Sequence, residues 1–495
     1  MYLKFVKNHV YIIALAVIVF ASMIIGIYQL KLPMIAEADA YSRVNIALGQ
    51  KRANIFFDKS GGIWLPFHFS MMVTLLSLFD YPLLTPRILT LVMSLGSIIA
   101  MYFYTKSFSN NKHIALLSSF LYTFFPLRIF LSNQTLSEPI FVFFVIISLI
   151  FIAKDKLSYK AIFVSLLFLN IAHGIRFESW ILLPLIWFLI ISKPISLNKK
   201  MTFMIASVLF PIYWMYLEKI YSGNYLYFFK QKYEVAQYFQ SPIYFNLNLS
   251  MLAWKNKLIP IFPSIFIFLA FFDFKNLLKN NTAKNIFYYF LPIFMYISLI
   301  AQVFFGTMEW FPTRYLLIST TFLIPLLASS IFEITKSVYC FFNKQNLINK
   351  LYSSILLLIF IFFLQNKYFE SLKYTKLEIT DWSLLQSYNS HETIKDSLLY
   401  ANFSELIENC NQICKDEIVF FYEEKNRSYL DQGLFYFLNK PGVDIHKDDI
   451  DKYIKNNASF VWEKSFDDEI DITKYFKIIY ENEKFYILET KSNVY

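Results

Sequence analysis

The chain has 495 residues, of which 57% are hydrophobic and 20% aromatic, and its mean hydropathy is +0.44. Only 17% of the residues are charged, whereas soluble domains are about 25% charged. This composition excludes an ordinary soluble protein. It indicates a polytopic membrane protein, because many apolar runs reach the ~17–25 residues that a bilayer-spanning helix needs.

The positive charge is concentrated in the first three quarters of the chain. Residues 1–365 contain 30 Lys and Arg against 12 Asp and Glu, whereas residues 366–495 contain 16 against 24. The basic excess therefore indicates membrane topology and not a nucleic-acid-binding surface. The sequence predicts a transmembrane domain over residues 1–365, in which the outer loop 31–85 carries helices at the membrane surface, and a soluble α/β domain over residues 366–495.

About eleven transmembrane helices are predicted from the apolar runs. They lie near residues 10–30, 86–105, 114–131, 137–153, 159–175, 179–192, 202–221, 258–272, 285–305, 315–333 and 351–365. Loops rich in lysine are assigned to the cytoplasm. This orientation places the N-terminus inside, and the C-terminal domain outside, a cell or inner membrane. Residues 64–79 are interpreted as a surface helix, because one more span there would move the lysine-rich loops outside.

The C-terminal region is predicted to be a small α/β domain. Residues 416–422 and 458–462 have the pattern of strands, and residues 476–480 and 484–490 that of a terminal hairpin. Cys410 and Cys414 stand four residues apart in a more helical stretch. A disulfide in an exported domain and two free buried thiols are both compatible with this spacing.

Two carboxylates and an arginine stand close together just after the first span, at Glu37, Asp39 and Arg43. Their surroundings have helical spacing, with Gly49 as the stop signal. Carboxylates at the membrane edge favour a functional site, and a carboxylate here can take the proton of an incoming hydroxyl as a general base. The alternative is that Asp39 and Arg43 only pair, at i and i+4, on a surface helix.

Later stretches of the chain place further charged or polar side chains on the same predicted face. These candidates are His68, Arg87, Glu138, Arg176, Glu178 and Arg314. An arginine suits a phosphate group because its guanidinium binds two oxygens at once. Each candidate can also be interpreted structurally, as a membrane-interface anchor, a residue at a helix start or a member of an ion pair. The functional hypothesis therefore depends on their lying together on one face of the membrane.

This order of motifs resembles the GT-C superfamily of integral-membrane glycosyltransferases, especially the branch with protein O-mannosyltransferases and the lipid A aminoarabinose transferase. The resemblance covers roughly residues 10–335 and implies a sugar donor on a polyprenyl phosphate, usually with inversion. It implies that Asp39, with Glu37 as second candidate, is the catalytic base. It further implies that Arg314, Arg87 and Arg176 contact the donor phosphate, supported by His68, Glu138, Arg43 and Glu178. The motif Glu-Ala-Asp departs from the adjacent Asp-Glu of the family.

The predicted partners are a polyprenyl-phosphate-linked sugar, an acceptor that is a lipid, glycan or protein, and membrane lipids, with no nucleic acid. No metal ligand set is predicted, although a divalent cation stays open. A polysaccharide polymerase or ligase is the main alternative, but it usually has its large loop late in the chain. A transporter of lipid-linked glycans is less favoured, because its charges are expected near the membrane midplane.

Overall fold

The computed structural model describes the larger part of the chain. The described residues are 2–31, 38–57, 64–154, 157–238, 246–272, 282–305, 313–343, 365–371, 406, 409–410, 412–414, 418–422, 442–446, 459–463, 476–481 and 485–490. The chain divides into two compact units. The first comprises Met1–Leu32, Lys59–His68 and Thr90–Lys376, and the second comprises Pro33–Asp58, Phe69–Leu89 and Leu377–Tyr495.

Most of the described helices are apolar, and they vary widely in length. They are α1 (Tyr2–Leu30), α2 (Ala38–Arg52), α3 (Pro66–Leu78), α4 (Thr85–Ser109), α5 (Lys112–Thr123), α6 (Pro126–Leu131), α7 (Ser137–Ile152), α8 (Tyr159–His173), α9 (Glu178–Ile181), α10 (Leu183–Ile191), α11 (Leu197–Ser207), α12 (Leu209–Ser222), α13 (Tyr227–Tyr238), α14 (Leu247–Ile261), α15 (Ser264–Phe272), α16 (Ala283–Phe304) and α17 (Leu316–Asn343). A 3-10 turn, Thr313–Tyr315, precedes α17.

Within the described residues, five segments are long and apolar enough to cross a membrane. They are His9–Leu30, Thr85–Ser109, Leu197–Ser222, Ala283–Phe304 and Thr313–Val338. Shorter apolar helices lie at Pro66–Leu78, Ser137–Ile152, Tyr159–His173 and Glu178–Ile191. The chain is therefore an integral membrane protein, as its composition predicts. The total of eleven spans and their orientation stay predictions, and the predicted span 351–365 lies almost wholly outside the described residues.

Four of the predicted spans are each divided into two helices. The divided spans are 114–131 (α5 and α6), 179–192 (α9 and α10), 202–221 (α11 and α12) and 258–272 (α14 and α15). A proline lies at or just after each break, at Pro126, Pro184, Pro211 and Pro263. Proline has no N–H to donate and its ring collides with the carbonyl four residues earlier, so a proline favours a break at each of these positions.

The C-terminal region contains a five-stranded sheet with the strand order β2-β1-β3-β5-β4. The strands are β1 (Ile418–Tyr422), β2 (Gly442–His446), β3 (Ser459–Glu463), β4 (Phe476–Glu481) and β5 (Phe485–Thr490). β1 runs parallel to β2 and β3, whereas β5 runs antiparallel to β3 and β4. The predicted strands and hairpin are confirmed. The strand β2 was not predicted, because Gly442-Val443-Asp444-Ile445-His446 is short and carries only two apolar residues.

Cys410 and Cys414 are joined by a disulfide. Both cysteines are buried, and the Cys414 backbone N–H donates to the Cys410 carbonyl over 2.9 Å, as in one turn of helix. Of the two possibilities that the spacing allowed, the structure contains the bonded pair. Such bonds persist in oxidising compartments, and the export of this domain stays a prediction.

Candidate active site

Glu138 lies at the start of α7 and is completely buried. Pro139 follows it in the first helical turn, where a missing N–H costs no intrahelical hydrogen bond. The helix N-terminus favours a negative charge at this position. One carboxylate oxygen, Oε2, is buried and has no hydrogen-bond partner among the described residues. Glu138 is therefore fixed as a buried carboxylate with one oxygen available for a further contact.

Arg176 lies in the turn between α8 and α9 and joins two acidic residues. Its Nη1 donates to Glu138 Oε1 over 2.6 Å and to Ser137 Oγ over 3.1 Å. Its Nε and Nη2 donate to the two oxygens of Glu178 over 3.0 and 2.6 Å. This two-point contact is the strongest geometry that an arginine and a carboxylate form. Arg176 thus fixes Glu138 relative to Glu178.

Arg314 joins the same group from the 3-10 turn before α17. Its Nε lies 3.1 Å from Glu138 Oε1, so Glu138 is shared by two arginines. The ring of Tyr315 lies 4.4 Å from the Arg176 guanidinium and 5.2 Å from that of Arg314, which are cation–π distances. We refer to Glu138, Arg176, Glu178 and Arg314 as the charge cluster. Three separate stretches of the chain build it.

Two members of the charge cluster, Arg176 and Glu178, stabilise each other's charged form although both are buried. Burial by itself lowers the pKa of Arg176, but the carboxylates of Glu138 and Glu178 outweigh this and raise the pKa well above its ordinary value. Burial likewise favours a raised pKa for Glu178, but Arg176 and, to a lesser degree, Lys232 bring the pKa below its ordinary value. Within the described residues, no group of three or more His, Cys, Asp or Glu is arranged to hold a metal ion.

Hydrogen bonds fasten the turn that carries Arg176. The Ser179 hydroxyl donates to the Arg176 carbonyl over 2.8 Å, and His173 Nδ1 lies 2.8 Å from the same hydroxyl oxygen. Because the hydroxyl proton is used by the carbonyl, His173 is assigned as the donor to Ser179. Trp180 Nε1 donates to the His173 carbonyl over 3.0 Å. These hydrogen bonds fix the backbone of the turn, and the ion pairs fix the guanidinium of Arg176.

The first turn of α3 docks on the same turn. Phe67 N donates to the Gly174 carbonyl over 2.9 Å, and the Phe67 ring packs 4.9 Å from the ring of Phe210. Leu65, Phe210, Trp214 and Phe228 form a buried cluster there. Gly174 has no side chain, so the Phe67 ring can lie directly against its Cα. This packing brings the segment Trp64–His68 of the predicted surface helix to the turn that carries Arg176.

Substituting alanine for Gly174 is expected to destabilise the protein, because a Cβ there would lie 2.6 Å from Phe67 Cγ. Overpacking of this kind costs about 1–3 kcal/mol. The matched control is Gly49→Ala, since a Cβ at Gly49 meets no heavy atom within 4 Å. Thermal unfolding in detergent should show a lower midpoint for Gly174→Ala only. Equal midpoints for the two variants would contradict the contact between Phe67 and Gly174.

The remaining predicted residues are distributed as follows. His68 is the third residue of α3 and is completely buried. Asp39 is in the first turn of α2 and half-buried, and Arg43, one turn later, is buried with its guanidinium 5.9 Å from the Phe69 ring. Arg87 is buried in the first turn of α4. Glu37 lies outside the described residues. The structure thus joins Glu138, Arg176, Glu178 and Arg314 by direct contacts.

A buried arginine in α6 was missed by the sequence reasoning. Arg128 donates to the Ser22 hydroxyl over 2.7 Å and to the carbonyls of Thr123 and Ser94 over 3.1 and 3.3 Å. The available signal was an arginine inside an otherwise apolar predicted span, which by default indicates a structural or functional role. Its contacts connect α1, α4 and α5 within the first unit, so we assign it a structural part.

Comparisons with solved structures identify the fold. No family model matches the sequence, and no curated protein matches it. The chain is similar to ArnT from Cupriavidus metallidurans bound to undecaprenyl phosphate, with a TM-score of 0.64 and 12% identity over 97% of this chain and 98% of that chain. It is also similar to the archaeal oligosaccharyltransferase AglB from Archaeoglobus fulgidus in complex with an inhibitory peptide and a dolichol-phosphate. That match has a TM-score of 0.53 and 11% identity, over 92% of this chain and 70% of that chain.

The chain therefore has the fold of the GT-C membrane glycosyltransferases. The match to ArnT extends over nearly the full length of both chains, so it includes the C-terminal region as well as the helices. The resemblance found in the sequence is confirmed at the level of the fold.

Proposed function

We propose that the chain is a glycosyltransferase that moves a sugar from a polyprenyl-phosphate donor to a hydroxyl or amine of an acceptor, with inversion, at the outer face of the membrane. The observation that carries the proposal is the charge cluster, in which buried arginines and carboxylates from three distant segments meet within a GT-C fold. ArnT and AglB have been solved with polyprenyl phosphates, which supports a lipid-phosphate donor.

Arg314 is assigned to the donor phosphate, with Arg87 as a second cation. A phosphate leaving group gains negative charge as the bond to the sugar breaks, and a fixed guanidinium stabilises that charge. Arg176 was also predicted to bind phosphate. Because its hydrogen bonds hold Glu138 and Glu178, we assign it the part of positioning Glu138, and through Glu138 the guanidinium of Arg314.

Asp39 is assigned as the base, with Glu37 as the second candidate. The acceptor oxygen attacks the anomeric carbon and forms the new glycosidic bond. The bond between that carbon and the phosphate oxygen breaks, and its electron pair stays on the phosphate. The proton of the acceptor passes to the carboxylate. The products are the glycosylated acceptor and free polyprenyl phosphate.

The proposal is tested by the release of polyprenyl phosphate from a panel of synthetic polyprenyl-phosphate sugars by the purified protein in detergent. Arg314→Gln is expected to lower kcat by about 10²–10³-fold, the range for removing one group that stabilises a developing negative charge. Arg52→Gln is the matched control, since Arg52 is an exposed arginine at the end of α2. It should keep its activity.

Two results would overturn the proposal. Absence of release with every donor and with added acceptor lipids, glycans and peptides would favour the polymerase or the transporter. Equal activity of Arg314→Gln and Arg52→Gln would remove Arg314 from the donor site. The same assay with and without a chelator measures any requirement for a divalent cation.

A further inference from the structure

Helix α12 ends with tyrosines on its surface. The helix belongs to Leu197–Ser222, one of the segments that are long and apolar enough to cross a membrane. Its C-terminal part exposes the side chains of Tyr213, Tyr216 and Tyr221. Tyrosine is enriched where a spanning helix passes from the hydrocarbon core to the headgroups, because its ring is apolar and its hydroxyl is polar. The end of α12 therefore marks a bilayer interface.

Helix α13 begins directly after this end. Gly223 terminates α12 in the left-handed conformation, with φ of 78°. The Lys219 ammonium donates to the Gly223 carbonyl over 2.7 Å and fastens the turn. The chain from Ser222 to Tyr227 can reach at most about 18 Å even when it is extended. The start of α13 is therefore confined to the neighbourhood of the same interface.

One face of α13 is buried against protein. Phe228 is 2% exposed and belongs to the buried cluster beneath the first turn of α3. Its ring also stacks on the Phe177 ring at 4.7 Å with an angle of 8°. Phe177 directly follows Arg176 of the charge cluster. These contacts fix the rotation of α13 about its own axis.

Two other faces of α13 are exposed, and they differ in character. Phe229 and Tyr233, four residues apart, share an apolar face and are 46% and 41% exposed. Lys230 and Glu234 share a charged face, where both are exposed and pair over 3.6 Å. A helix with an exposed apolar face beside a charged face is typical of the membrane interface. There the apolar side enters the boundary between headgroups and acyl chains, and the charged side meets water.

We propose that α13 lies in the bilayer interface with Phe229 and Tyr233 in contact with lipid. The lipid-contacting surface of α12 then continues onto α13 across the turn at Gly223. Because the opposite side of α13 packs on Phe177, this anchoring holds the turn with Arg176 near the level of the lipid headgroups. The inference goes beyond the proposed function and does not depend on it.

The test attaches a nitroxide to single cysteines of the full chain in vesicles of phosphatidylethanolamine and phosphatidylglycerol. Phe229→Cys and Tyr233→Cys probe the apolar face, and Lys230→Cys and Glu234→Cys are the matched controls on the charged face. Every variant also carries Cys340→Ser, which removes the cysteine outside the disulfide. Electron paramagnetic resonance measures how often each nitroxide collides with oxygen, which concentrates in hydrocarbon, and with a water-soluble nickel chelate.

Nitroxides at Phe229 and Tyr233 are expected to collide more with oxygen and less with nickel than those at Lys230 and Glu234. Their depth should be about 5–10 Å into the boundary between headgroups and acyl chains, as for other interfacial helices. All four side chains are exposed, so the thermal midpoints should stay close to that of the wild type.

Two results would overturn the inference. Equal collision with nickel on both faces would place α13 in water. Few collisions with either reagent at Phe229 and Tyr233 would mean that protein, such as a second copy of the chain, covers this face. Neither readout depends on sugar transfer, so failure of the proposed transferase and failure of this inference are distinguished.

Discussion

Replacing Asp39 with asparagine is expected to lower kcat for sugar transfer by roughly 10²–10⁴-fold, the range for loss of a general base. Asparagine has nearly the same shape but accepts no proton from the acceptor hydroxyl. Asp39 is in the first turn of α2 and half-buried, where loss of its favourable charge costs about 1 kcal/mol or less. The donor KM and the thermal midpoint should therefore change little, and the release assay separates the chemical step from folding.

Two companion variants make this result specific. Glu37→Gln tests the other carboxylate of the motif. Asp80→Asn serves as a control, because Asp80 is 76% exposed and pairs with Lys51 over 2.5 Å. Full activity in Asp39→Asn with loss in Glu37→Gln would move the base to Glu37. Full activity in both would refute a base in this motif.

Replacing Arg176 with methionine is expected to lower the free energy of unfolding by about 3–5 kcal/mol, the usual cost of removing one partner from a buried ion pair. The side chains of Glu138 and Glu178 are 1% and 4% exposed, so neither carboxylate can regain full hydration. Methionine fills much of the space but supplies no hydrogen-bond donor. Unfolding in detergent with increasing denaturant, followed by tryptophan fluorescence, measures the loss.

A double variant distinguishes the cost of an uncompensated buried charge from the cost of lost packing. Adding Glu178→Gln to Arg176→Met removes one uncompensated charge and should recover part of the lost stability, so the two effects should not be additive. Arg176→Lys keeps the charge but not the two-point contact, and its stability should be intermediate. If Arg176→Met were as stable as the exposed control Arg52→Met, the buried ion pairs would not form as the structure shows.

The sequence by itself determined the class of the protein and most of its elements. Many apolar runs are long enough to span the bilayer as helices, so the sequence alone indicated a polytopic membrane protein. Short runs rich in β-branched and aromatic residues indicated β1, β3 and the β4–β5 hairpin. The types of residue in the predicted outer segments also selected Glu138, Arg176, Glu178 and Arg314, because charges are costly near a membrane unless they are used or paired.

Where the helices break was decided by tertiary structure. Pro126 and Pro263 lie where predicted spans divide, whereas Pro292 and Pro325 lie inside the continuous helices α16 and α17. Every proline removes the same backbone hydrogen bond. Neighbouring helices and local adjustments determine whether the freed carbonyl finds another partner and the helix continues. The local sequence contains the proline but not its neighbours.

The pairing of the charges was likewise decided by tertiary structure. From the sequence, Arg176 and Glu178 were as compatible with a simple local pair as with a site. The structure adds Glu138 and Arg314 from segments far along the chain, and it places Lys232 of α13 over Phe177. Which distant charges meet depends on how the helices pack. Residue types therefore determined what chemistry is possible here, and packing determined which side chains share it.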